Sequence, residues 1–463
     1  MNQFTTINPA TEESISNYPM MGKDEVVKIV NNAKNVFPDW KKNYENRREK
    51  VYNLVQYLRK NTTKLATIAT KEMGKPLKES ISEVEKCAWV LEFYADHGAN
   101  FLSEEVLNTD ARKSFITFEP LGVIGSIMPW NFPYWQALRF TAPCLMAGNT
   151  IVMKPSRVTT QCGLELEKAC KESGFPDGVF QSVVGSVDTA NHLIDSDVSA
   201  VTFTGSTKAG SSVGKRSSSL LKKCILELGG SDPFIVLEDA DIEKAANGAV
   251  KGRFINCGQS CIASKRFFIS KTIADKFIES FVKKASLLKV GDPISMETDM
   301  GPLVNKSALE NISSIVEDAK SKGAEILLGG SKLDQKGYYY QPTILTNVKA
   351  DMRIVTEETF GPVAPITIVD DENEAIRLAN DIEFGLGASI WTQDLINAEK
   401  LSRKMESGIV SINNVVISDP RIPFGGIKQS GFGRELSRYG MLEFVNIKSV
   451  RFYDQLIHHH HVE

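Results

Sequence analysis

Between Val123 and Leu228, short apolar runs alternate with helical patterns. The runs are Val123–Met128, Thr150–Met153, Phe180–Val184, Ala200–Phe203 and Cys224–Leu228. Apolar runs too short for helices and separated by helix-length segments read as βαβ units, which pack as a parallel, doubly wound sheet. The expected class is therefore α/β, with a Rossmann-type sheet. Each run ends in a distinctive polar turn: Pro129-Trp130-Asn131, Lys154-Pro155-Ser156-Arg157, Gly185-Ser186, Thr204-Gly205-Ser206-Thr207 and Glu227-Leu228-Gly229-Gly230. Ligands of such sheets sit beyond the carboxyl ends of the strands. One edge carrying five chemically distinct turns thus predicts a nucleotide-sized site.

Upstream, amphipathic periodicity predicts helices whose buried faces are Val26, Val30, Ala33 and Phe37, then Val51, Leu54, Val55 and Leu58, then Leu65, Ile68 and Met73 before Gly74 and Pro76. Lys113–Glu119 alternates like a strand of an exposed arm or hairpin. A second βαβ-like region follows Asp241, which can cap a helix lined by Ile242, Ala245, Ala246 and Ala249. The stretch Phe444–Phe452 alternates like an edge strand. A chain of 463 residues suggests two or three domains. The net charge of −3 provides no field to draw nucleic acid or an anionic membrane. No apolar run approaches the ~18 residues of a bilayer span, and the start lacks the basic and apolar regions of a secretory signal. A cytoplasmic protein is expected. The seven cysteines are scattered and odd in number, unlike a secreted disulfide framework. Outside the run His458–His461, which is either tag or native tail, only His97 and His192 occur, so no metal site is expected.

Several turns carry chemistry. Cys261, in Gly258-Gln259-Ser260-Cys261-Ile262-Ala263, is either a small packing residue or a reactive thiol. The reactive reading takes Ile262–Arg266 as a short helical turn whose N-terminus, with Lys265 and Arg266, favours thiolate. Glu227 closes an apolar run, so it is either a salt-bridged or capping carboxylate or a buried base poised near neutral pH. Asn131, between two prolines, is either an Asx-turn residue or a fixed N–H donor to an oxyanion. The glycines of Thr204–Gly210 allow backbone N–H groups to approach a diphosphate. Lys154 is either a solvated lysine or a ribose or phosphate ligand. Together these residues support one mechanism. A thiolate adds to an aldehyde, Asn131 and the Cys261 N–H hold the oxyanion, hydride leaves to a nicotinamide, and water activated by Glu227 hydrolyses the thioester. A cysteine hydrolase needs an activating histidine, and histidines are scarce here.

At these residues the chain resembles the aldehyde dehydrogenase superfamily, over nearly its whole length. The motifs that carry the resemblance are Pro129–Pro133, Phe203–Thr207, Leu226–Gly230, Gly258–Cys261, Glu357–Pro362 and Pro423–Gly426. It implies Cys261 as nucleophile, Glu227 as base and Asn131 as oxyanion donor. Around the cofactor it implies Met128, Trp130, Lys154, Ser156, Arg157, Gly185, Thr204, Gly205, Ser206, Leu228, Glu358 and Phe360. It also implies a cofactor domain (1–107 and 123–229), an α/β catalytic domain (230–425) and a small β oligomerisation arm with the C-terminal strand (108–122 and 426–457), followed by a tail (458–463). Homodimers or homotetramers are the expected assembly.

Within the superfamily the chain looks most like the short bacterial and archaeal succinate-semialdehyde dehydrogenases, in the runs Met128–Gln136, Glu227–Pro233 and Ser418–Gly426. A semialdehyde substrate needs a cation for its distal carboxylate. Arg139, two helical turns beyond Asn131, is the expected one, with Trp135 and Ser418 shaping the pocket. Ile255 stands where some relatives carry a second substrate arginine. Arg157 stands where relatives that prefer NAD carry a glutamate for the 2′-hydroxyl. A cation there suits a 2′-phosphate, so NADP is the expected preference, with NAD possible and no metal required. Cys257 is expected to be a small loop residue, with resolution of an oxidised Cys261 as the alternative. The competing functions are a CoA-acylating semialdehyde dehydrogenase, a dehydrogenase for another aldehyde, and a non-catalytic nucleotide-binding oligomer.

Overall fold

The computed structural model describes residues 3–453; the C-terminal histidine run and the tail 458–463 lie outside the described residues. Five parallel strands form the expected sheet, in the order Lys223–Glu227, Ala200–Thr204, Val123–Ile127, Thr150–Lys154 and Phe180–Ser182. From Val123–Ile127 the chain first winds outward through Thr150–Lys154 and Phe180–Ser182, then returns to the other side with Ala200–Thr204. The winding therefore reverses between Ile127 and Thr204, and the turns Met128–Asn131 and Thr204–Ser206 face each other across the crevice this creates. A short antiparallel strand, Gly431–Phe432, completes this sheet beside Lys223–Glu227.

A second sheet of seven strands is built from residues 232–412. Its central strands Val363–Val369, Ser264–Ser270, Asp232–Val236 and Gly387–Trp391 run parallel. Asp241 caps the helix Ile242–Phe254 by accepting from Lys244 N, and Ala245, Ala246 and Ala249 are buried, as the periodicity predicts. The three upstream amphipathic faces are buried too, except that Phe37 and Ile68 are only half-buried, and Gly74 closes the helix Thr62–Met73 in a left-handed conformation. The arm is a three-stranded antiparallel sheet in which Lys113–Pro120 lies between Glu105–Leu107 and Val445–Phe452. The stretch after 426 is not arm throughout. Gly431–Phe432 joins the first sheet, and the helix Ser437–Leu442 is anchored by Tyr94, whose hydroxyl donates to Ser437 O at 2.8 Å. Among the described residues no helix is long and apolar enough to cross a membrane.

One helix organises the interior. All 15 residues of Pro133–Ala147 are buried, so its few polar side chains must find partners inside the protein. Its N-terminus is closed by Glu83 of the helix Leu77–Phe101, whose Oε1 accepts from Tyr134 N at 2.9 Å and Trp135 N at 2.8 Å. Glu83 in turn pairs with the fully buried Lys75.

Candidate active site

The reactive loop departs from the helical turn expected after Cys261. Cys261–Ile262 is a turn, Ala263 a bend and Ser264–Ser270 is already strand, so no helix begins at the thiol. What shapes the loop lies before the cysteine. Asn256 (φ 49°) and Cys257 (φ 56°) are left-handed, a conformation that costs non-glycine residues of order 1–3 kcal/mol and needs support. Gly258 follows at φ 71°, and a Cβ there would lie 2.3 Å from the Gly361 carbonyl oxygen. Asn256 N donates to Glu79 Oε2 at 2.9 Å, and Asn256 Nδ2 donates to Asn131 O at 2.8 Å. Asn131 Nδ2 donates to Gln259 O at 3.1 Å, and Gln259 Oε1 accepts from Val304 N at 2.9 Å. Asn131 is thus stitched into the cysteine loop, with the second hydrogen of its amide group uncommitted.

The expected thiolate-favouring surroundings are likewise corrected. Burial pushes the Cys261 thiol well above its ordinary pKa, and Glu227 raises it further; Arg139 and Lys265 pull the other way. Lys265 Nζ donates to Cys261 O at 2.7 Å and to Glu358 Oε1 at 3.0 Å. Arg266 points elsewhere, to the carbonyls of Ser231, Leu378 and Ala379. The thiol is therefore neutral at rest and needs a base. Glu227 faces it, and burial raises that carboxyl to about 7, opposed chiefly by Arg139. Cys257 packs away from this centre, among Phe254, Phe281 and their neighbours under the second sheet, whereas Cys261 belongs to the cluster beneath the first. All seven cysteines are free.

Cys261 forms part of the wall of two cavities. One, of about 280 Å³, is bounded by Trp130, Asn131, Thr204, Gly205, Ser206, Glu227, Gly229, Glu358 and Phe360. Trp130 meets Phe360 edge-on with ring centres 5.7 Å apart. Glu358 Oε1 accepts from Gly230 N at 3.1 Å, and a Cβ on Gly229 would stand 2.3 Å from Glu358 Oε2, so any side chain there would displace the Glu358 carboxylate. Ser206 caps the 13-residue helix Thr207–Ser219, leaving an N-terminus open for an anion. The other expected cofactor residues lie along the same edge. Met128 N donates to Lys154 O at 3.1 Å, and Ser156 caps the turn that holds Arg157. Gly185 precedes the helix Val187–Asp195, and Leu228 is buried with its N–H on Ser430 O at 3.1 Å. Lys154 is buried and Arg157 is exposed; burial, then the charge of Arg157, lowers the Lys154 ammonium to about 8. Among the described residues no cluster of histidine, cysteine or carboxylate side chains is arranged to hold a metal.

The second cavity, of about 500 Å³, joins Cys261 to Trp135, Arg139 and Ser418, as expected, and also to Glu79, Glu83, Lys86, Gln136, Lys251 and Phe424. Arg139 does not offer a free cation. Its Nη2 pairs with the buried Glu435, lies 3.5 Å from Glu227 Oε2, and its guanidinium sits 4.4 Å from the Phe424 ring centre. Lys86 is the residue that sequence reasoning missed. No motif singles it out, because it lies at the edge of a helix whose buried face is core. The available signal was a run of Glu79, Glu83 and Lys86 at helical spacing on or beside that core face.

The aldehyde dehydrogenase family model matches residues 1–450. The chain is 46% identical over 449 residues to the "Probable succinate-semialdehyde dehydrogenase" (NADP+) of Synechocystis sp., covering 96% of this chain and 99% of that one. It is 43% identical to the NAD(P)+ succinate semialdehyde dehydrogenase of Escherichia coli, covering 96% and 97% respectively. Among solved structures, succinic semialdehyde dehydrogenase from Streptococcus pyogenes with NADP+ superposes at a TM-score of 0.95, with 35% identity, over 97% of this chain and 100% of that one. Strand-end turns, a cysteine between two cavities and end-to-end similarity converge: the chain belongs to the aldehyde dehydrogenase family.

Proposed function

We propose that this protein oxidises an aldehyde bearing a distal carboxylate, with succinate semialdehyde the expected substrate, to the corresponding acid, using NADP in preference to NAD. The observation that carries this reading is the position of Cys261: it belongs to both cavities, so a substrate can enter from one and a dinucleotide lie in the other, with Glu227 facing the thiol. The names of the relatives support the same substrate and cofactor.

The residues on the strand edge fit a dinucleotide. Gly205 and Gly229 leave room at the crevice, Ser206 opens a helix N-terminus to a diphosphate, and Glu358, Trp130 and Phe360 border the reacting end. Lys154 and Arg157 put two cations where a ribose phosphate would neutralise their repulsion, which supports NADP. When bound, the dinucleotide supplies the hydride acceptor. Glu227 takes the thiol proton, and Sγ adds to the aldehyde carbon. The free N–H of the Asn131 amide and the Cys261 backbone N–H stabilise the oxyanion. Once the thioester has formed and Glu227 has released the thiol's proton to solvent, Glu227 deprotonates the hydrolytic water, which attacks the thioester carbon and expels Cys261 as the leaving sulfur.

The arm favours a homodimer or homotetramer. It exposes Val106, Leu107, Ile447 and Phe452, and its outer strand Val445–Phe452 leaves one edge unpaired. Seven free cysteines suit a reducing, cytoplasmic setting. The test is a panel of short semialdehydes and plain aliphatic aldehydes, assayed with NAD and with NADP, with and without CoA, for wild type and Cys261→Ala. The expected result is NADP reduction strongest with succinate semialdehyde, independent of CoA and lost in the variant. Equal turnover of wild type and Cys261→Ala rejects the reading.

A further inference from the structure

Resting on that reading, the structure identifies a different cation from the one the sequence suggests. Arg139 lies between two carboxylates, Glu435 and Glu227, so a third would meet repulsion as well as attraction. Lys86 is in the opposite situation. It lines the same cavity as Cys261, its Nζ donates to Ser418 Oγ at 2.7 Å, and it lies 4.3 Å from the centre of the Trp135 ring. Among the described residues it makes no ion pair. The carboxylates nearest to it are engaged elsewhere. Glu83 pairs with Lys75 and caps the helix Pro133–Ala147, and Asp419 is held by Arg421 through Nε at 2.9 Å and Nη2 at 2.6 Å. The ammonium thus keeps two of its three hydrogens for a guest.

We propose that Lys86, oriented by Ser418 and Trp135, is the specificity-determining residue that takes the distal carboxylate of the aldehyde substrate. A carboxylate placed against the ammonium would give Lys86 the ion-pair partner it lacks among the described residues. The indole face of Trp135 would flank the apolar methylenes between the two ends of the substrate. The charge state agrees. Burial, then the charge of Arg139, lowers the Lys86 ammonium to about 8, while Cys87, Asp419 and Glu83 act in the other direction. Lys78, Glu79 and Lys251 are the remaining charged groups along the cavity wall. Bound carboxylate favours the protonated amine, so affinity for an acidic aldehyde is full below about pH 8 and declines as pH rises past it.

The experiment compares succinate semialdehyde with pentanal, with NADP as cofactor, in wild type, Lys86→Met, Lys86→Gln and Lys86→Arg. The expected result is a fall of about ten- to a hundredfold in the acid-to-neutral ratio of kcat/KM for both neutral variants, the range of one charge-assisted hydrogen bond. The loss should appear in KM for the acid rather than in kcat, with substantial rescue in Lys86→Arg. Wild-type KM for succinate semialdehyde should rise above about pH 8 while that for pentanal does not, a readout that needs no variant to fold. A wild type that prefers the acid, with an unchanged ratio in Lys86→Met or Lys86→Gln, overturns the role of Lys86 but leaves the proposed function standing. So does a flat pH dependence of KM for the acid. A wild type with no preference for the acid rejects the proposed substrate class, and this inference with it.

Discussion

Cys261 and Glu227 depend on one another. The thiol is held neutral by burial and by the facing carboxylate, and the carboxyl is raised to about 7 by its own burial. A raised carboxyl is protonated, and useless as a base, below that value. kcat should therefore fall about tenfold per pH unit on the acid side of about 7, with the limb abolished in Glu227→Gln, as stopped-flow or steady-state pH profiles would read. Arg157→Glu replaces an attractive charge with a repulsive one beside the expected 2′-phosphate. It should lower kcat/KM for NADP by about ten- to a hundredfold and leave NAD turnover much less affected. These residues were legible in the sequence because each ends a strand or a loop with an unusual polar group. Their protonation was only half legible. Burial of Glu227 followed from the apolar run before it, but the neutral thiol did not, since its environment comes from Arg139, Glu227 and Lys265 on separate elements.

At the scale of elements, the site is assembled by two devices. The first is the left-handed turn Asn256–Gly258, supported by Glu79 and Asn131 from outside the loop. The second is the cap that Glu83 places on Pro133–Ala147, the helix that carries Trp135, Gln136 and Arg139 to the cavity. Glu83→Ala strands two N–H groups and leaves the Lys75 ammonium buried without its ion-pair partner, against the Phe132 ring 4.0 Å away. The expected cost is about 3–5 kcal/mol in urea unfolding, with activity lost alongside stability. The helices themselves were visible as periodicity. The expected turn after Cys261 was not helical because Ser264–Ser270 is drawn into the second sheet between Asp232–Val236 and Val363–Val369, and sheet pairing overrides so short a local preference.

At the scale of the molecule, the arm carries the exposed apolar residues and the unpaired strand edge. Ile447→Asp with Phe452→Asp places a charge on each face of the outer strand of the three-stranded sheet, and light scattering should show a shift from dimer or tetramer towards monomer. A wild type that is itself monomeric rejects the arm as the interface. The sequence by itself determined the parallel sheet and the order of its strand-end turns, because alternation of short apolar runs and punctuating polar turns are local properties, and through its family resemblance it offered Cys261, Glu227 and Asn131 as candidates for nucleophile, base and amide donor. Only the tertiary structure decided that Arg139 is already paired, that Lys86 enters the substrate cavity, and that Gly431–Phe432 returns to the first sheet. Those outcomes depend on charges and strand edges brought together from distant parts of the chain, and no window of sequence contains both partners.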